Sequence, residues 1–482
     1  MNFRFVAFVL SRLCFAYVVV LLIPACAAAL VDKPNIMTFV MSMLPPLLIG
    51  GFLRWYGQTR QGHLNVKDAV LIVAVGWVGI CVFGMLPYAF GMPELNWVTC
   101  IFESTSMWTT TGVTTLSCFW GMPPSFMVWR TVGHWCGAIG VILLFLFLFP
   151  NMSSGSEFIL NAELPGRGLE RTMPRIKQSA AVVIGIFVML NILETVLLML
   201  GGMDIWEALN MAMATAATAG ISFSHDGIII FRDTYTQCVC LIFMFLGGIN
   251  FTLWFKVLRL DWQGIKEDAE HRYYILWIVS GTLLLAFGLW RVNYYNFADS
   301  LKYGVMMSLS YISTTGFAFD NINNWPEFCQ VVFIVLMFTG GCSASAAGGL
   351  KIIRCTIVMK AFWYELRRIL HPNIVYSVNY GGKPLHPEAV RAVVKFFFFY
   401  FVVFVVLALA ASFNGLGLKE AFTMVASCMS SAGCSLGTVG QGSSYSDIGT
   451  LPRLIASLAM LLGRMEFTTL LAVLHPNFWQ EK

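Results

Sequence analysis

The stretch TSMWTTTGVTT, residues 105–115, gathers six threonines and a serine around one glycine inside a chain that is otherwise apolar. Of 482 residues, 58% are hydrophobic and 11% charged, and the mean hydropathy is +0.74. That balance lies outside the range of soluble domains, so lipid is the main solvent. The N-terminal run FRFVAFVLSRLCFAYVVVLLIPACAAALV contains Arg12 and is longer than the core of a cleavable signal, so it reads as a first spanning helix. The polar residues of 105–115 therefore need a reason to be in a membrane protein.

Apolar runs long enough to cross a ~30 Å hydrocarbon core fall near residues 5–30, 36–53, 68–91, 126–150, 178–201, 234–255, 273–292, 327–370, 390–412 and 448–474. Between them lie weaker apolar pieces near 97–110, 204–217, 298–313 and 417–431, of a length that suits re-entrant helices. Lys and Arg crowd the connections 54–67, 151–177, 256–272 and 351–391, whereas 92–125, 202–233, 293–326 and 413–446 hold only Arg232, Lys302 and Lys419. By the positive-inside rule the first set is cytoplasmic, and all four short pieces enter from the outer face.

Each short piece runs into a similar polar turn: TTTGVTT at 109–115, ATAGISFSHD at 217–226, STTGFAFD at 313–320 and SSAGCSLG at 430–437. The glycines at 112, 220, 316 and 433 stand roughly one hundred residues apart, the mark of one supersecondary unit used four times. The expected fold is an all-α membrane protein: two leading transmembrane helices, then four helix–pore-loop–helix units around one pore. Irregular backbone at membrane depth is tolerated where it lines a cavity or is buried in protein. Carbonyls turned toward one axis can replace the hydration shell of a potassium ion. Glycine permits the positive φ this requires, and the negative C-terminal ends of the short helices favour a cation. Hydroxyls beside the glycine can satisfy the loop's amides or add oxygen ligands. Taken singly, each TTG-like turn also reads as a helix end with a glycine cap.

With these residues the chain resembles the TrkH/TrkG–KtrB–HKT superfamily of potassium transporters, most closely its bacterial TrkH-like branch. The resemblance spans nearly the whole chain and is carried by FESTSMWTTTGVTTL at 102–116, GGCSASAAGGLKIIR at 340–354, LHPNIVYSV at 370–378 and GRMEFTTLL at 463–471. It implies units at 1–66 (two leading helices), 67–176, 177–268, 269–386 and 387–482, and a homodimer with one pore per protomer. It implies potassium-binding filter residues Thr111, Gly112, Ala219, Gly220, Thr315, Gly316, Ala432 and Gly433. The fourth turn, SSAGCSLG, departs from the family's commoner asparagine- and proline-containing form. The resemblance also implies an intramembrane gate loop, formed by Gly340, Gly341, Cys342, Ser343, Ala344, Ser345, Ala346, Ala347, Gly348 and Gly349. From composition alone that stretch also reads as a close-packed helix contact.

Arg464 matches the family's arginine near pore and gate, a position where a mid-membrane charge costs roughly 2.5–3.5 kcal/mol unless it faces a cavity or partner. Glu466 is a candidate partner, and a snorkelling or ion-paired structural role is the alternative. His134 reads as a hydrogen-bonded packing residue at a helix interface. Lys351, Arg354, Arg367 and Arg368 suit helix anchoring, anionic lipid or the docking of a cytosolic regulator.

What the resemblance implies for function is potassium and rubidium uptake across the bacterial cytoplasmic (inner) membrane, with both termini cytoplasmic. A separate cytosolic TrkA-like nucleotide-binding ring serves as regulator in the family. No cofactor is expected on this chain, and potassium is its substrate. Membrane lipid is an expected partner and nucleic acid is not. A cation symporter coupled to sodium or protons is the alternative, although carriers usually show inverted repeats with broken helices at the midplane, and these four repeats share one orientation. The chain carries no HExxH, CxxC or GxGxxG pattern and no paired acids that would support a membrane enzyme.

Overall fold

The computed structural model describes residues 1–57, 66–116, 122–148, 176–220, 233–343, 345–371, 377–437, 439, 445–465 and 467–480. They form helices almost throughout, with one two-stranded ribbon pairing Asn379–Tyr380 with Lys383–Pro384. Among the described residues, six helical stretches are long and apolar enough to cross a membrane: Phe3–Val31, Lys33–Tyr56, Lys67–Gly91, Ala181–Leu200, Ala269–Arg291 and Pro387–Phe413.

The expected short pieces are the helices Trp97–Trp108, Ile205–Ala216, Phe297–Ile312 and Leu418–Ser430. Three begin at a side chain that takes up an orphan amide: Asn96 accepts from Thr99 N at 2.8 Å, Asp204 from Trp206 N at 3.0 Å and Asn296 from Asp299 N at 2.8 Å. The fourth starts at Gly417 with no side-chain cap.

After each short helix the chain returns as a second long element. In the first repeat this is the helix Pro124–Leu148. In the other three it is broken, into Thr234–Gly248 and Phe251–Leu258, Glu327–Thr339 and Ile352–Leu370, and Thr450–Arg464 and Phe467–Leu474. The break at 340–351 is where the small-residue stretch was expected to interrupt a span. The breaks near Asn250 and Met465 fall inside runs that read as continuous.

The repeats close into a ring. Pro124–Leu148 packs on the second short helix, Thr234–Gly248 on the third, Glu327–Thr339 on the fourth, and Thr450–Arg464 on the first. The two leading helices pack on each other and on the first repeat, Phe3–Val31 against Val66–Gly84 and Pro124–Leu148, and Ile36–Tyr56 against Leu86–Gly91. Every short helix is thereby enclosed by protein, which lets hydroxyl-bearing residues such as Ser104, Thr215, Ser308 and Ser427 lie fully buried.

Candidate functional site

Each short helix ends in the same way. A hydroxyl residue takes the left-handed conformation: Thr110 (φ 57°), Thr218 (51°), Thr314 (54°) and Ser431 (54°). The next residue then bonds back across the last turn, Thr111 N to Ser106 O at 3.0 Å, Ala219 N to Ala214 O at 2.9 Å, Thr315 N to Ser310 O at 2.9 Å and Ala432 N to Ser427 O at 3.0 Å. This is a Schellman closure in which Thr or Ser occupies the position glycine usually fills. The glycines are therefore not the helix caps that the lone TTG pattern allows. Their positive φ comes two residues later, at Gly112 (79°), Gly220 (47°), Gly316 (77°) and Gly433 (81°).

What the glycines do is seen in what they face. A Cβ on Gly112 would collide with the carbonyl oxygen of Ala219, one on Gly220 with that of Thr315, and one on Gly316 with that of Ala432, while one on Gly433 would stand 2.6 Å from the oxygen of Thr111. Each repeat's glycine thus abuts the carbonyl that precedes the next repeat's glycine, and the fourth returns to the first. The eight expected filter residues come together in one closed circuit, with four carbonyls gathered from four repeats. The buried C-terminal ends of the four short helices converge on it, bringing their negative partial charge.

The hydroxyls around the circuit serve carbonyls more than amides. Ser106 Oγ donates to Val113 O at 2.5 Å and Ser310 Oγ to Phe317 O at 2.8 Å, which turns those carbonyls away from the circuit and toward the short helices. Thr109 and Thr111 hydroxyls share a bond at 2.9 Å, and Ser313 and Thr315 at 2.8 Å.

The first repeat has a support that the sequence reading missed. Glu103 and Arg130, both fully buried, form an ion pair. Glu103 also accepts from Thr115 N at 2.6 Å, Thr115 Oγ1 at 2.7 Å and Thr114 Oγ1 at 3.0 Å, and Arg130 Nη2 donates to Val113 O at 2.9 Å. One acid and one base thereby clamp the strand after Thr111. The positions equivalent to Glu103 in the other repeats are Met211, Met307 and Met424, all buried. A matched acid and base in neighbouring elements of one repeat, in otherwise apolar surroundings, is the signal that could have found the pair.

The stretch 340–349, of which Ala344 lies outside the described residues, is a loop lodged against the inner ends of two short helices. Gly348 N donates to Thr314 Oγ1 at 2.8 Å, and Gly348 leaves no room for a Cβ beside Ser430 O. The loop's ends cross at Gly340 (φ 67°) and Gly349 (φ 78°), and Leu350 N bonds Phe338 O at 3.1 Å. Cys342 N caps Gly248 O at 3.0 Å, satisfying the break in the second repeat's helix. Buried Glu270, also missed from sequence, accepts from Ser343 N at 2.5 Å, Ser343 Oγ at 2.8 Å and Asn250 Nδ2 at 3.0 Å. This is a loop anchored by specific bonds, distinct from two helices packed through small residues.

Arg464 meets the same loop. Its guanidinium donates to Ala346 O at 3.1 Å and to Gly137 O at 3.2 Å, tying the loop to the first repeat's long helix. Lys351 Nζ bonds the neighbouring carbonyl, Ala347 O. Glu466 lies outside the described residues. His134 is fully buried as expected of a packing residue, but neither ring nitrogen has a hydrogen-bond partner among the described residues. Arg354 stacks over the Phe396 ring at 3.8 Å, while Arg367 and Arg368 lie exposed in the last turn of Ile352–Leu370.

Comparison with known proteins places these features in context. The family model TrkH, described as a cation transport protein, matches residues 33–480. The chain is 31% identical to the Trk system potassium uptake protein TrkH of Escherichia coli K12, and 27% identical to the TrkG protein of the same strain, with 100% and 99% of each chain covered respectively. The crystal structure of the potassium transporter TrkH from Vibrio parahaemolyticus superposes with a TM-score of 0.90 at 28% identity, over 100% of both chains.

Proposed function

This chain belongs to the TrkH family of cation transport proteins, and on that premise we propose that it is the pore-forming subunit of a Trk-type potassium uptake system. It passes potassium and rubidium inward across the bacterial cytoplasmic membrane, with both termini on the cytoplasmic side. The filter is the level of Thr111, Ala219, Thr315 and Ala432 carbonyls with Gly112, Gly220, Gly316 and Gly433. The observation that carries this reading is the closed circuit in which each glycine abuts the next repeat's carbonyl. A ring of backbone oxygens with no side chain intruding suits a dehydrated potassium ion. The pore is divided among units 67–176, 177–268, 269–386 and 387–482, with 1–66 as peripheral leading helices. The chain binds no cofactor and holds potassium as cargo.

The test is ion flux in liposomes under potassium, rubidium, sodium or lithium gradients with no other driving force. Potassium and rubidium move and sodium and lithium do not. Flux of potassium only when a sodium or proton gradient is imposed would favour the symporter instead. A homodimer and a cytosolic TrkA-like nucleotide-binding ring complete the proposed assembly, the ring meeting the basic connection 351–391.

The loop 340–349 is the gate, and its hydrogen bonds to Thr314 and Glu270 support that role. Shortening residues 343–349 raises flux per folded protein while leaving the potassium-to-sodium ratio close to wild type, because loop and filter are separate structures. Unchanged flux in a folded deletion would return the stretch to a packing role.

Arg464 places its charge at the gate loop and holds that loop through Ala346 O. Arg464→Gln therefore raises potassium flux severalfold with ion preference intact, since both the electrostatic barrier and one tether are removed. Lower folded yield with wild-type flux per folded protein would assign the arginine a structural role alone.

A further inference from the structure

The fourth filter turn has the loosest seat in the circuit, since a Cβ on Gly433 would keep 2.6 Å from Thr111 O, more than the other three glycines allow. It also lacks the acid of the first repeat, Met424 standing where Glu103 does. Its own short helix supplies one substitute. Thr423 Oγ1 accepts at 3.0 Å from Leu436 N, the amide three residues past the filter glycine, whose counterpart in the first repeat is Thr115 N on Glu103. The next residue, Gly437, is held from outside the repeat.

Gly437 N donates to Asn323 Oδ1 at 2.7 Å, and Asn323 Nδ2 donates to Gly437 O at 3.1 Å. One side-chain amide of the third repeat thus pairs with both backbone groups of a residue 114 positions away, as a neighbouring antiparallel strand would. Asn323 is itself fixed. It lies in the 3₁₀ turn Ile322–Asn324, where its amide donates to Asn321 Oδ1 at 3.1 Å. Buried Gln330 donates through Nε2 to Ile322 O, Asn323 O and Trp325 O at 3.3, 3.2 and 2.9 Å, and Asp320 accepts from Tyr295 OH at 2.8 Å and Trp325 Nε1 at 2.7 Å. The fourth turn reaches back to the third through Cys434 Sγ, which donates to Gly316 O at 3.0 Å. Beyond it, Tyr445 N donates to Thr114 O at 2.6 Å, so the connection continues into the first repeat.

We propose that Asn323 is a positioning residue for ion choice: by pairing with Gly437 it holds the fourth filter turn, and with it Ala432 O, at the spacing that suits potassium. A ring of carbonyls discriminates between ions only while its members resist moving inward onto the smaller one. Three turns are braced against that movement by tight contact within the circuit, and the fourth is braced by its neighbour's asparagine. Asn323 touches no ion in this arrangement and acts through the backbone. The inference deepens the pore reading above and rests on it.

The test combines liposome flux with deuterium uptake of the purified full chain. Asn323→Ala removes both bonds, and the potassium-to-sodium ratio per folded protein falls about tenfold, within the factor that two neutral hydrogen bonds are worth. Deuterium uptake across 430–437 rises in the same variant. Asn323→Asp, of the same shape, keeps the acceptor for Gly437 N but sets a carboxylate oxygen against Gly437 O, so uptake stays near wild type while the ratio falls about threefold, the share of one bond. Its charge attracts potassium and sodium alike, which leaves the ratio to report position. Asn324→Ala, at the exposed neighbouring residue, changes neither readout. A wild-type ratio or wild-type uptake in folded Asn323→Ala would overturn the role of Asn323, as would an equal fall in Asn324→Ala. Should the alanine variant not fold, an unchanged ratio in Asn323→Asp would overturn it as well. Wild-type protein without potassium preference would instead count against the pore reading, and the uptake measurement, which involves no flux, would still test the hold on Gly437.

Discussion

Gly220→Ala and Gly316→Ala each lower potassium flux per folded protein by about 100-fold, equivalent to a barrier of ~2.7 kcal/mol. A Cβ at either position would overlap a backbone carbonyl, Thr315 O or Ala432 O, and backbone cannot swing aside as a flexible side chain can. The left-handed backbone adds a cost of about 1–2 kcal/mol for any L-residue with a Cβ. Because the contacts form a circuit, a carbonyl displaced in one repeat shifts the glycine of its neighbour. Gly112 carries the same constraint against Ala219 O, and Gly112→Ser additionally brings a hydroxyl oxygen, so its residual flux admits proportionally more sodium. Gly433 has the most room, 2.6 Å to Thr111 O, and its alanine variant is the mildest of the four. Rubidium and sodium uptake into liposomes, normalised to monodisperse protein, measures both effects. Wild-type flux and selectivity in Gly316→Ala would mean that ions do not pass this circuit.

Removing either partner of the Glu103–Arg130 pair costs about 3–5 kcal/mol of stability, because the remaining charge is left buried and unpaired. Arg130→Met also removes one of the two donors to Val113 O, leaving Ser106 Oγ, and Glu103→Met frees the amide and hydroxyl of Thr115. The double variant Glu103→Met/Arg130→Met is expected to recover much of that loss, since methionine already fills the equivalent buried place at 211, 307 and 424. Its filter, however, has lost the clamp on one strand, so its potassium-to-sodium ratio falls even where stability returns. Thermal unfolding of the three variants, followed by selectivity of the double one, separates stability from positioning. Singles as stable as the parent would show that the pair carries no net weight. A double variant with wild-type selectivity would show that the clamp does not position the filter.

The architecture was legible because lipid imposes strict lengths and each repeat carries its own start and stop signals. The short pieces expected near 97–110, 204–217, 298–313 and 417–431 differ by at most two residues at either end from Trp97–Trp108, Ile205–Ala216, Phe297–Ile312 and Leu418–Ser430. Asn96, Asp204 and Asn296 mark three of the starts. The glycine positions were equally clear, but their role depended on long-range packing, because Gly112 faces a carbonyl more than a hundred residues away. The left-handed Thr110, Thr218, Thr314 and Ser431 were hidden, since nothing local marks a threonine or a serine for positive φ. The breaks at Asn250 and Met465 were also hidden. Of these, the break near Asn250 is supported by Cys342 N, which reaches Gly248 O from another repeat. Arg464 was visible as a costly charge, but its acceptors are backbone carbonyls of two other repeats, which no spacing in the sequence announces.

Rubidium scatters anomalously and substitutes for potassium, so a crystal of this protein grown in rubidium salt tests the central claim most directly. An anomalous peak is expected on the ring axis, enclosed by the carbonyl oxygens of Thr111, Ala219, Thr315 and Ala432. Rubidium peaks found elsewhere in the same crystal, with none inside that ring, would contradict it.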